Sequence, residues 1–152
     1  MDDFLTFTIV GLVTGSLYAI AASGLVVTYT TSGIFNFAHG ATGMFAAFVY
    51  WKLRFDLGWP APVALAAVLL VLAPLFGAVV ERVIIRGLWD VSEVTKLIVS
   101  ISLLFGVYSA ATIMFSPNVG RRLPGFFEGN SIDLGVYNMS WHEAITIIAA
   151  AL

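Results

Sequence analysis

Between Asp3 and His39 the chain carries no charged side chain. Wound as one α-helix at about 1.5 Å per residue, those 35 positions would be roughly 50 Å long. A bilayer's hydrocarbon core is about 30 Å thick. The run is therefore too long for one span, even with tilt, and it must break. The stretch Thr30-Thr31-Ser32-Gly33 is weakest, because β-branched residues, serine and glycine lower helix propensity. The sequence predicts a first helix over 4–29 and a second over 35–53.

Composition requires the same environment. The 152 residues are 60% hydrophobic and 11% charged, with mean hydropathy +0.98, whereas soluble domains are about a quarter charged. So few charges cannot cover a water-facing surface, and the missing solvent is lipid or partner protein. Net charge is −2, with no basic stripe, so no nucleic-acid partner is implied. The absence of cysteine removes disulfides, zinc thiolates and iron–sulfur clusters. The Met-Asp-Asp-Phe start lacks the basic region and cleavage site of a signal peptide, which predicts that the first apolar segment is retained.

The second helix has only eleven residues between Gly40 and Lys52. It reaches spanning length only by including Asn36-Phe37-Ala38-His39-Gly40, which places this polar pentapeptide inside the membrane or at its edge. Trp51 and Trp59 flank Lys52, Arg54 and Asp56, as in an interfacial belt. Pro60 and Pro62 open a third helix over 62–81, in which Pro74 should introduce a kink. Asp90 and Glu93 resemble a capping box, so a fourth helix is expected over 91–115. Residues 116–140, rich in proline, glycine and asparagine, form a 25-residue extramembrane loop. Alternation at Ile132, Leu134 and Val136 suggests a short β-hairpin there. Ser140-Trp141-His142-Glu143 is a capping box in standard form and starts a fifth helix over 141–152. That helix covers about half a membrane and is expected to continue past Leu152. The fold class is thus all-α: a polytopic transmembrane bundle of about four full spans plus the start of a fifth.

Within these helices, Gly11, Gly15, Ala19 and Ser23 repeat every four residues, as do Ser102, Gly106 and Ala110. Such stripes let helices approach closely, and packing is the stronger reading over a direct role in a solute path. Asn36 and His39 are costly in an apolar run unless paired, and such residues mark function. Glycines beside them permit a broken helix, whose exposed backbone groups and helix N-terminus can meet a solute carboxylate. On this basis Asn36, Phe37, His39 and Gly40 are the candidate translocation-path residues. The competing reading makes Asn36 a helix cap and His39 a packed side chain. Glu81, Arg82 and Arg86 lie at a helix end, with Arg82 and Arg86 four apart on one face. They read as a membrane-edge anchor and salt bridge, or as contact with a cytoplasmic partner. The Asn138-Met139-Ser140 sequon carries little weight. No P-loop, HExxH, GxSxG or paired intramembrane carboxylates occur, so neither an enzyme nor a bound cofactor is expected.

Several strings then point to a family. GLVTGSLY at Gly11–Tyr18, AIAASGLVVTY at Ala19–Tyr29, GIFNFAHG at Gly33–Gly40, Gly43-Met44 and AAFVY at Ala46–Tyr50 occur in the order seen in branched-chain amino acid ABC transporter permeases. Glu81-Arg82 followed by Arg86 is similar to that family's ER-xxx-R stretch. The chain resembles the N-terminal part of the H-type inner-membrane permease more than its M-type partner. Ala41, Phe48 and Gly87-Leu88 depart from the family's common residues. The resemblance implies a single permease domain in an ABC importer of branched-chain amino acids. It implies a second permease subunit, two ATP-binding subunits that hydrolyse ATP, an extracytoplasmic amino acid-binding protein, and surrounding membrane lipid. Other classes consistent with the residues alone are a channel or secondary transporter, and a membrane scaffold. Lysine and arginine counts barely separate the two faces. The acidic N-terminus and the resemblance put the N-terminus outside and the 81–96 connection in the cytoplasm of a bacterial inner membrane.

Overall fold

The computed structural model describes residues 2–116, 120–123, 131–133 and 138–151. It is built of helices with one small hairpin. Helix α1 runs Asp2–Ser32, 31 residues and about 46 Å. It passes the expected stop at residue 29. The hydroxyls of Thr8, Thr14, Ser16 and Ser32 each donate to the carbonyl four residues earlier, at 2.7–2.9 Å. Back-bonding of this kind satisfies polar side chains within the helix, so the Thr-Thr-Ser stretch does not break it. Gly33 does. Its φ is +68°, a conformation open to glycine, and its N–H reaches Tyr29 O at 2.8 Å, closing the helix in an αL cap.

Helix α2 spans His39–Trp51 and continues as a π-helical turn over Lys52–Asp56. The expected start at residue 35 is thus corrected to His39. Length is recovered at the other end, where helical pairing carries on through Lys52 and Arg54. Gly58, at φ +68°, and Pro60 then end it. Helix α3 (Ala61–Ala67), a π-helical turn (Val68–Leu72) and α4 (Ala73–Val83) form one rod, followed by a 3-10 turn at Ile85–Leu88. The disturbance expected from Pro74 takes the form of that π turn. Ala73 N–H bonds Val68 O, five residues back, ahead of a proline that would otherwise clash with the carbonyl of Leu70.

Helix α5 covers Glu93–Met114. Its N-cap is Ser92, not Asp90: ψ is 151° and the side chain accepts from Thr95 N–H. Strands β1 (Ser131–Asp133) and β2 (Asn138–Ser140) pair antiparallel, Ile132 opposite Met139. The hairpin is present, although the expected positions Leu134 and Val136 lie outside the described residues. Helix α6 spans Trp141–Ala151 and starts at the expected capping box. Ser140 Oγ accepts from Glu143 N–H at 3.2 Å, and Glu143 Oε2 accepts from Ser140 N–H at 2.8 Å.

Among the described residues, three helices are long and apolar enough to cross a membrane: Asp3–Ser32, Ala61–Leu88 and Glu93–Met114. Helix α2, with Lys52, Arg54 and Asp56 at its end, is not among them. The chain forms two compact units, one of Thr28–Arg121, the other of Met1–Val27 with Arg122–Leu152. In the first, Ala38, Ala64 and Ala111 are fully buried, small side chains marking close contacts between helices. The predicted stripes lie elsewhere. Gly11, Gly15, Ala19, Ser23, Ser102, Gly106 and Ala110 are all exposed.

Candidate translocation site

In the connection between α1 and α2, residues 33–38, an apolar helical path opens around polar groups. Ile34 N–H bonds Ser32 Oγ at 3.2 Å. Asn36 Oδ1 accepts from Ala38 N–H at 3.0 Å, and Asn36 O accepts from His39 N–H at 3.1 Å. This is an Asx turn feeding α2, whose N-cap is Ala38 without a side-chain cap. Thr42 donates both its N–H and its hydroxyl to Ala38 O at 2.9 Å.

A residue missed in the sequence holds the segment. Ser100, buried on α5, accepts from Phe37 N–H at 2.7 Å and donates to Phe35 O at 2.9 Å. One hydroxyl thereby pairs two backbone groups that a broken helix leaves over, a requirement in an apolar interior. Ser100 lies seven residues past Glu93, about 10 Å along the helix axis. Helix α2 starts beside Ser100 and ends beside Phe115, where the rings of Phe48 and Phe115 stack at 5.2 Å. It therefore runs alongside α5 in the same direction and leaves the first third of α5 to the connection.

The four candidate path residues have different surroundings. Asn36 borders a cleft of about 130 Å³ between α2 and the rod of α3 and α4, walled by Thr42, Phe45, Leu72, Phe76 and Val80. Its amide nitrogen has no acceptor among the described residues. The Phe37 ring packs on Phe35 at 4.8 Å while its backbone is held by Ser100. His39 is half-buried, and its ring has no hydrogen-bond partner among the described residues. Neither His39 nor Gly40 lines the cleft. Gly40 has no positive φ, and a Cβ there would meet nothing within 4 Å, so the backbone freedom expected of it belongs to Gly33. Gly106 and Ala110 line a second apolar groove between α4 and α5.

At the charged edge, Arg86 Nε pairs with Glu81 Oε1 at 3.1 Å. The α register ends at Val83 and Arg86 lies in the 3-10 turn, so Arg82 and Arg86 do not share a continuous α-helical face. Arg82 is exposed in the last turn of α4.

Comparison with known proteins identifies the family. The family described as the permease component of the branched-chain amino acid transport system matches residues 7–152. The chain belongs to this family. It is similar to the high-affinity branched-chain amino acid transport system permease protein LivH of Escherichia coli K12, 30% identical over 129 residues, 78% of this chain and 41% of LivH. It is also similar to BraD of Pseudomonas aeruginosa, a permease protein of the same description, 28% identical over 130 residues, 80% of this chain and 42% of BraD. The chain thus spans about two fifths of the length of these relatives. No solved structure matches it. As a member of this permease family with membrane-spanning helices, it is a multi-pass membrane protein.

Proposed function

We propose that this chain is the N-terminal part of a single permease domain in an ABC importer of branched-chain amino acids, with the 33–38 connection bordering the translocation route. The observation that carries the reading is the break itself. If α5 spans, a segment bonded to Ser100 lies about 10 Å inside the hydrocarbon, where an unpaired polar group is expensive. There the Asn36 amide nitrogen is left over for water or solute. The cleft beside it is close in size to an engineered apolar cavity of about 150 Å³ that admits benzene. Its walls of Phe45, Phe76 and Val80 suit a branched aliphatic side chain.

The importer would comprise a second permease subunit, two ATP-binding subunits that carry out hydrolysis, and an extracytoplasmic amino acid-binding protein. The exposed stripes Gly11, Gly15, Ala19, Ser23 and Ser102, Gly106, Ala110 are offered to helices of that second permease. Glu81, Arg82 and Arg86 face the cytoplasm of a bacterial inner membrane, and the N-terminus is outside. In the full-length permease, Asn36→Leu and His39→Leu should each lower uptake of labelled leucine, isoleucine or valine at least about fivefold, the equivalent of one hydrogen bond lost to the solute or to water along its route. Membrane insertion should be unchanged. Wild-type uptake in both variants, normalised to inserted protein, means that the cluster is only a turn and a packed histidine.

A further inference from the structure

At the other end of α5 the structure gathers positive charge without neutralising it. The Arg121 guanidinium carbon lies 5.2 Å from the Trp51 ring centre and 5.8 Å from those of Phe48 and Phe115. Lys52 Nζ lies 6.0 Å from the same Phe115 ring. Cation–π contacts fix a guanidinium in place but leave its charge intact. Arg121 donates through Nη1 to Ser116 O at 2.7 Å, while its Nε is buried without an acceptor. A guanidinium has five donors, and the rest of them find no acceptor among the described residues. No carboxylate among the described residues pairs with either cation. Elsewhere Arg86 pairs with Glu81 and Lys96 with Glu93. Nearby Arg54 differs: it lies over Phe55 and donates to the Trp59 carbonyl at 3.1 Å.

Two cations held within 6.0 Å of one ring centre repel each other, and an anion beside them relieves that repulsion. We propose that Lys52 and Arg121 hold the phosphate of an anionic phospholipid headgroup. The location favours this source. The site lies just past Met114, where the apolar length of α5 ends, and it includes Trp51, a residue type enriched at the membrane–water boundary. Phospholipid phosphates lie at that level, and their oxygens match the fork of an arginine.

The test is native mass spectrometry of the full-length permease in mild detergent, titrated with phosphatidylglycerol and, separately, phosphatidylcholine. Wild type should retain phosphatidylglycerol preferentially. Lys52→Gln, at an exposed position, should lose about fivefold of that preference, and Lys52→Gln with Arg121→Gln about twenty-five-fold. Arg54→Gln should keep it, whereas Arg121→Lys, which preserves the charge but not the fork, should lose part of it. Equal melting temperatures in phosphatidylcholine nanodiscs show that the variants are folded. Unchanged retention in the Lys52→Gln variant overturns the proposal. So does displacement of phosphatidylglycerol by leucine, which would assign the site to a free carboxylate.

Discussion

Ser100 joins two stretches of chain 63 and 65 residues apart through a single hydroxyl. Ser100→Ala leaves the Phe37 N–H and the Phe35 carbonyl without partners, and each unpaired buried group costs about 1–3 kcal/mol. The expected outcome is a lower melting temperature together with weaker uptake. Ser100→Thr, which keeps the hydroxyl, should restore much of both. Equal melting temperatures and uptake for wild type and Ser100→Ala would mean that the connection holds itself. The role could not be read from the sequence, because a serine in an apolar helix ordinarily bonds its own backbone. Ser102 does so, donating to Ile98 O at 2.9 Å, yet Ser102 was the residue the four-residue spacing singled out. Asn36 and His39 were legible because their polarity stands out against an apolar run whatever the fold. Gly33 was legible as a weak point, but the φ that makes it one belongs to the folded chain.

Helix boundaries were legible where a local hydrogen-bond pattern sets them and obscure where the solvent does. The reciprocal Ser140–Glu143 box needs only four consecutive residues, and it was found. At α5 the acidic pair Asp90 and Glu93 suggested the same device, but Ser92 has the extended backbone an N-cap requires, and its hydroxyl meets that of Thr95 at 2.9 Å. Ser92→Ala should therefore destabilise the start of α5 by about 0.5–2 kcal/mol, while Asp90→Ala should have little effect. Amide exchange at Thr95 and Lys96 distinguishes them, with faster exchange expected only for the serine variant. The ends of α1 and α2 were misplaced for another reason. Propensities measured in water rank threonine and serine low, whereas a helix in lipid keeps its backbone paired and bonds hydroxyls inward. So α1 outlasts Thr30 and Thr31, and the helix begun at His39 runs past the expected end at residue 53 to Asp56.

At the scale of the molecule, orientation follows from α5. Its 22 residues measure about 33 Å, a close match to a hydrocarbon core of about 30 Å, so its two ends emerge on opposite faces. Asp90 precedes the helix and Gly120 follows it, both exposed, and a Cβ at Gly120 would meet nothing within 4 Å. Cysteine can thus be placed at either position without disturbing packing, in a chain that has none of its own. With the N-terminus outside, Gly120→Cys should react with a membrane-impermeant thiol reagent in intact cells. Asp90→Cys should react only after permeabilisation. The assignment matters for the break as well. Ser100 is nearer the Asp90 end, so cytoplasmic labelling there puts the 33–38 connection in the cytoplasmic half of the bilayer, beyond the Lys52 and Arg121 pair on the route inward. Labelling of Asp90→Cys from outside would invert the topology and put the same connection near the external mouth, with the aromatic-held cations on the cytoplasmic face.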